Sequence, residues 1–333
     1  MSSEPNLKIS VALCTYNGEA FLDQQLESIL HQTRPPDELV ISDDGSSDRT
    51  VEVARRVTGG CKFPVRILQS AQNVGFIKNF EKAIAETTGD IIFLSDQDDY
   101  WLPEKFSAMI PLFSESPDVV LGYCDAEVTD AALRPSGGTF FSRRKDMQLG
   151  VTPTADQLGR GVGFNGPMMA FHRRLKPFIL PISNQWAHDH WIGFIAHAVG
   201  EVRWIDRPLV CYRRHGQNLG ADADLDGSIL HHWRVAAKKS EVKQYAHRSR
   251  RFDTMLKRLQ EIKAGGLPLP AHNRLDELLR ESEDCLRFAR LREKMKNRPR
   301  AARLPAALWS LARGDYRRHA HGAKSFIQDV AIP

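Results

Sequence analysis

From residue 9 to residue 94 the chain repeats one pattern: a short apolar, β-rich run, a polar turn, then apolar residues at helical spacing. ISVALC (9–14), LVIS (39–42), VRIL (65–68) and IIFL (91–94) read as strands. Leu22, Leu26, Ile29 and Leu30 make the stripe of a first helix, residues 50–57 a second, and FIKNFEKAIAET (76–87) a third, with Gly89 expected as its left-handed cap. Strand–helix alternation calls for right-handed crossovers and a parallel sheet, so the expected class is α/β. Few other architectures accommodate this order.

In open sheets of this kind ligands bind beyond the carboxyl ends of the strands. The polar punctuation falls there: CTYNG after the first strand, SDDGSSD after the second, NVG near the third and SDQDD after the fourth. As solvated turns each would be unremarkable; their common edge makes a site. The fourth is the most demanding, because Asp96, Asp98 and Asp99 crowd into four positions after a buried run. Like charges this close disfavour one another's ionisation, so water, a protein cation or a metal must offset them. Magnesium or manganese suits such carboxylates and fills the rest of its sphere with substrate phosphates. Asp99 is also open to a second use, capping a helix that starts at Pro103 in PEKFSAMI.

Farther on, residues 119–124, 168–171, 202–205 and 209–212 read as strands and 191–199 as a helix, while 134–165 is rich in Gly, Pro, Arg and Ser and reads as a loop that orders on ligand binding. In AHDHW, Asp189 heads an apolar helix, where dipole and free amides stabilise an anion. His188, Asp189 and His190 do not form a metal site, since adjacent helical residues point in different directions. YRRHGQN (212–218) brings two arginines and His215 after a strand, suited to a diphosphate or to a metal sphere, or simply to a basic surface turn.

These motifs together, VALCTYNGEAFLDQQLESILHQT, VISDDGSSDRT, NVGFIKNFEKAI, FLSDQDDYW, NGPMMAF, HDHW and YRRHGQN, resemble the family 2 glycosyltransferases across residues 7–220, most closely their rhamnosyltransferase-like branch. The resemblance implies a GT-A fold: a Rossmann-like, mostly parallel sheet flanked by helices, here with a helical C-terminal appendage. It implies a catalytic domain over 1–222, with a nucleotide-sugar half to about 125 and an acceptor half over 126–222, and a basic helical region over 223–333. By the same resemblance Cys14, Thr15, Tyr16 and Asn17 line the donor pocket, Tyr16 against the pyrimidine face, and Asp44 accepts a hydrogen bond from the base. Asn73 and Lys78 lie near the base or diphosphate, Asp96 and Gln97 face the donor, and Arg213 meets its diphosphate. Asp98, with His215, holds Mn2+ or Mg2+, and Asp189 is the catalytic base. His188 departs from the family, which often has an acid there.

The activity so implied is inverting transfer of one sugar from a nucleotide-diphosphate donor, dTDP-rhamnose or a UDP-sugar, to a hydroxyl of a glycan or lipid-linked saccharide. A glycoside hydrolase would need two carboxylates flanking the bond and no cation. A nicotinamide dehydrogenase would need G-x-G-x-x-G after the first strand, and CTYNGEAF is not that. A non-catalytic nucleotide-sugar-binding module or scaffold is the remaining alternative.

The bulk composition fits a soluble protein of the cytoplasm: 42% hydrophobic, 26% charged and a net charge of +5. MSSEPNLK shows no secretory pattern, no run approaches the roughly 20 apolar residues of a bilayer span, and five scattered cysteines suit a reducing compartment. The C-terminal third is helical and strongly basic, with Leu304, Leu308, Trp309 and Leu311 between arginines. Such a stretch suits the anionic inner face of the plasma membrane, or else packs on the catalytic domain or a homodimer partner. Without an aromatic platform or a recognised motif, nucleic acid is not expected.

Overall fold

The computed structural model describes residues 7–143, 152–159, 164–216, 241–266, 268, 273–320 and 322–331. Its strands are β1 (Ile9–Thr15), β2 (Glu38–Asp43), β3 (Val65–Gln69), β4 (Ile91–Ser95), β5 (Tyr100–Trp101), β6 (Val119–Thr129), β7 (Pro135–Thr139), β8 (Met169–His172) and β9 (Glu201–Arg213). They form one sheet in the order β3-β2-β1-β4-β8-β6-β9-β5, with β7 paired to β6. The β3-β2-β1-β4 half is parallel throughout, as alternation demands. Strands β1, β2 and β4 are buried along their whole length, which explains their nearly uninterrupted apolar runs. Helices α1 (Leu22–Leu30), α2 (Thr50–Thr58) and α3 (Phe76–Glu86) make the crossovers, burying Leu22, Leu26 and Ile29, Val51 and Ala54, and Phe80, Ala83 and Ile84.

Chain order reverses at β1, whose neighbours are β2 on one side and β4 on the other. The loops after β1, β2 and β4 therefore open onto one crevice. Beyond β4 the sheet turns mixed: β8 is antiparallel to β4 and β6, and β9 runs parallel to β6.

Several expectations need correction. The two strands expected over 202–205 and 209–212 are one 13-residue strand, β9, paired along β6 with register shifts beside Asp125. One of those irregularities falls where Pro208 stands opposite Asp125, so the ladder absorbs a residue that has no N–H to donate. Gly89 is not a left-handed cap. Thr87 ends α3 instead, its hydroxyl donating to Ile84 O, while Gly89 is needed because a Cβ there would come within 2.9 Å of Lys8 O. The expected loop over 134–165 contains β7 and a helical turn at Phe140–Arg143; 144–151 and 160–163 lie outside the described residues.

The chain divides into two compact units: Met1–Val151, Val162–Leu225 and Pro268–Asn273 in the first, and Thr152–Gly161, Asp226–Leu267 and Arg274–Pro333 in the second. Segment 152–161, expected in the acceptor half, thus groups with the helices. The second unit contains the helices Ala155–Gly159, Glu241–Ala264, Leu275–Lys296, Arg300–Ala312, Asp315–His319 and Ala323–Ala331. Phe252, Met255, Leu259, Leu278, Phe288 and Met295 supply its apolar core. Buried Asp329 is satisfied by the Arg292 guanidinium at 2.6 and 2.8 Å and the Tyr316 hydroxyl at 2.9 Å, partners a charge needs in a dry interior.

One buried side chain joins two of the crevice strands. The Asn79 amide of α3 donates to Ser42 O at 2.8 Å and Thr15 O at 3.3 Å, fastening the carboxyl ends of β2 and β1 together. Asn79→Ala leaves both carbonyls buried without that donor, and urea unfolding will show a loss of about 1–3 kcal/mol.

Candidate active site

The β1 and β2 loops interlock through side-chain bonds to main chain. Asp43, at the end of β2, accepts from the Thr15 hydroxyl at 2.9 Å and from Ser46 N at 3.0 Å, a turn that Asp-Asp-Gly-Ser chemistry favours. Asn17, at φ 48°, donates its N–H to the Ser46 hydroxyl and accepts from Ser47 N. Thr15 is therefore buried in the scaffold of the pocket. Asp44 accepts from Val74 N at 2.8 Å and Gly75 N at 2.9 Å. It thereby draws in the NVG loop, where Gly75 sits at φ 91°, a conformation side-chain-bearing residues rarely adopt. The base contact expected of Asp44 would have to use its remaining lone pairs.

The β4 loop grips the β1 loop in turn. Gln97 accepts from Tyr16 N at 2.8 Å and donates to Tyr16 O at 3.1 Å, so one side-chain amide reads both main-chain groups of Tyr16. Gly18 leaves room for this clamp, since a Cβ there would lie 2.2 Å from Gln97 Oε1 and push the amide aside. With its backbone clamped, Tyr16 holds a ring that is 45% exposed, a ready stacking face. Cys14 is buried beneath; burial, then the nearby Asp96 and Asp44 charges, push its thiol well above the usual range. Val74 and Phe76 add exposed apolar surface on the third loop that sequence patterning did not single out.

The carboxylates converge here. Burial first, then the charges of Asp98 and Asp189, raise Asp96 to about 8. A charge on the helix at His188–Val199 therefore acts on the carboxyl at the end of β4. Asp189 lies in that helix's first turn, its carboxylate accepting from His190 N at 2.8 Å. Asp99 does not cap the next helix; that helix runs Lys105–Met109 from Glu104 without a side-chain cap. Asp99 is buried and accepts from Arg213 N at 3.1 Å. Burial, then Asp98 and Asp96, hold it far above the carboxylate range, and its Oδ2 has no bonding partner among the described residues.

Arg213, expected at a diphosphate, is turned into the protein instead. Its guanidinium donates to Asp98 O at 2.8 Å, Ala131 O at 2.8 Å and Gln24 Oε1 at 2.7 Å, and lies over the Phe21 ring. A buried cation needs such acceptors, and the result is a rigid Asp98 loop. His215 does reach the site: its Nε2 is 2.9 Å from Asp98 Oδ2, with its ring against Phe21. Lys78 pairs with Glu81 at 2.8 Å and reaches Ile182 O, while exposed Asn73 accepts from Gly75 N. Neither Lys78 nor Asn73 joins the carboxylate cluster. Gln24, Asp43, Asn79 and the buried Lys105, whose Nζ bonds Pro167 O, are organising residues that no local motif announces.

A divalent cation fits this donor set. Burial and mutual repulsion keep the Asp96 and Asp99 carboxyls from ionising, and an Asp99 oxygen lacks a partner among the described residues. A hard cation would relieve that conflict, and Asp98 and His215 stand close enough to share one. Asp98 and His215 would hold it, leaving the rest of the sphere to phosphate oxygens and water. Among the described residues the one trio of potential ligands is elsewhere, Asp156, Cys285 and His319 in the helical unit, where the Arg248 guanidinium already bonds Asp156.

A family model described as "Glycosyl transferase family 2" matches residues 10–174. The dTDP-rhamnosyl transferase RfbG of Shigella flexneri is 34% identical over 219 residues, 62% of this chain and 72% of that protein. The chain belongs to glycosyltransferase family 2. Two solved structures share its fold. One is TarS of S. aureus in complex with UDP-GlcNAc, at TM-score 0.54 and 16% identity, covering 96% of this chain and 90% of that one. The other is the mannosyltransferase PcManGT of Pyrobaculum calidifontis in complex with GDP-Man and Mn2+, at TM-score 0.52 and 19% identity, covering 92% and 75%. Several curated relatives are matched over less than two thirds of their own length.

His188, where the family often has an acid, is a packed ring. It stacks on Phe80 at 3.7 Å, and neither ring nitrogen has a bonding partner among the described residues. Burial holds it down to about 4, with Asp189 and His190 acting in opposite directions. Between about 4 and the unfolded value near 6.5 the unfolded chain binds the extra proton, so stability falls as pH falls through this window. His188→Leu removes that dependence: whatever its absolute stability, its free energy of unfolding will fall less steeply there, by up to about 1.4 kcal/mol per pH unit, in denaturant titrations.

Proposed function

We propose that this protein transfers a single sugar, with inversion, from a nucleoside-diphosphate sugar to a hydroxyl of a glycan or lipid-linked saccharide in cell-surface polysaccharide assembly. The observation that supports the proposal is the loop after β4, where Asp98 Oδ2 lies 2.9 Å from His215 Nε2 and Gln97 clamps the main chain of the exposed Tyr16, with the charge of Asp189 acting on neighbouring Asp96. The base stacks on Tyr16, and Asp96 faces the ribose or donor sugar. Asp189 accepts the proton of the attacking hydroxyl, and a single base without an enzyme nucleophile suits one displacement and inversion. Asp98 and His215 hold a divalent cation, whose contribution is to neutralise the charge that grows on the departing diphosphate. The resemblance to RfbG favours dTDP-rhamnose as donor, ahead of UDP-sugars, and the Mn2+ in the PcManGT complex favours a metal-dependent reaction. The Gly166–Met168 turn and β8, held to Lys105 through Pro167 O, border the acceptor side.

A panel of dTDP- and UDP-sugars with Mn2+, read by thermal shift and released diphosphate, tests the reading. One donor will stabilise the protein and be consumed only with acceptor and metal. Donor binding with no turnover for any acceptor class would favour the non-catalytic module. Asp189→Asn will lower transfer by about 10²–10⁴-fold while keeping the donor-induced shift, and retained turnover would reject its role as base. Asp98→Asn will abolish the part of donor binding that chelator removes.

A further inference from the structure

The helix Arg300–Ala312 is built inside out. Its inward positions are Arg303, Ala307 and Ser310, all buried, with the Arg303 guanidinium donating to the Arg298 and Asp329 carbonyls. Its outward positions carry Leu304, Leu308 and Leu311, spaced i, i+4 and i+7, with Trp309 alongside, each between 42 and 51% exposed. A surface helix normally shows the reverse, with apolar residues inward. Exposing this stripe to water is unfavourable, so the face is one that something covers.

Charge says what. The stretch 294–324 carries nine Lys and Arg (Lys294, Lys296, Arg298, Arg300, Arg303, Arg313, Arg317, Arg318 and Lys324), of which Lys296 and Arg303 are buried, against a single acid, Asp315, which is buried too. Arg313 lies over the Trp309 ring at 4.6 Å, so cation and aromatic stand together at the rim of the apolar stripe. A second copy would set the same positive surface against itself across a two-fold interface, an arrangement like charge opposes. No helix among the described residues is long and apolar enough to span a bilayer, so a membrane contact made here would lie along the surface.

We infer that the Leu304–Leu308–Trp309–Leu311 face docks on an anionic lipid surface, the leucines and tryptophan entering the headgroup–acyl boundary and the arginines meeting lipid phosphates. The inference rests on the helical unit and not on the donor site, so vesicle binding and sugar transfer can fail independently.

Flotation of the full chain with vesicles tests it, using neutral phosphatidylcholine alone or with about a third phosphatidylglycerol. The protein will float with the anionic vesicles and not with the neutral ones, and raising salt from about 0.1 to about 0.5 M will release most of it. Leu308→Ser with Trp309→Ser will weaken binding at least about tenfold while the melting temperature and donor-induced thermal shift stay as in the wild type. Arg317→Glu, at an exposed position on the next helix, will weaken anionic-vesicle binding without removing an apolar group. Equal flotation with neutral vesicles, no flotation at all, or unchanged binding by the double variant would overturn the proposal. So would self-association in sedimentation that the double variant abolishes when vesicles do not bind, since the face would then be a contact between copies.

Discussion

Unbalanced negative charge at the end of β4 is the condition the rest of this site answers to. Burial weighs on the Asp96 and Asp99 carboxyls, and the charges of Asp98 and Asp189 near the first and of Asp98 and Asp96 near the second add to it, so both are held above the ordinary range. Two nearby protein cations, Arg213 and Lys105, act on Asp99 from within the protein. Arg213 is fixed by main-chain and Gln24 oxygens beneath the Asp98 loop, and Lys105 is buried against Trp101 and Pro167 O. A carboxyl cluster that the fold leaves short of partners is the kind of site where an outside cation would lower the cost of ionisation.

A charged cluster is useful only if its geometry is held. The restraint here is almost wholly side chain to main chain: Gln97 on Tyr16, Asp44 on Val74 and Gly75, Asp43 on Ser46, Asn79 on the ends of two strands. All but the Asp43–Ser46 bond, which shapes one turn, tie together segments that belong to different strands. The rim of the crevice is therefore pre-organised by residues that need never touch a substrate, and Tyr16 can present its ring from a fixed backbone.

The helical unit obeys a different logic. Its interior contains Asp329 with Arg292 and Tyr316, while one helix turns leucines and a tryptophan outward. Polar groups inside and apolar groups outside are consistent with a unit whose outer face is finished by contact with something apolar.

Much of the fold was legible in the chain because its signals are local. Strand runs, amphipathic stripes and turn residues set β1–α1–β2–α2–β3–α3–β4, and the polar loops at one edge, with the quoted motifs, pointed to Asp96, Asp98, Asp189 and His215. What only the tertiary structure decided concerns side chains whose role depends on a partner far away in sequence. Arg213 reads as a free basic residue until its acceptors, Asp98 O, Ala131 O and Gln24, are seen to surround it. Asp99 reads equally as a metal ligand or a helix cap until it is seen buried and accepting from Arg213 N, and β9 reads as two strands until β6 bridges Pro208. Local propensity fixes where a residue sits along an element; burial, and the groups that burial brings within 3 Å, fix what its charge or hydrogen-bonding atoms are for.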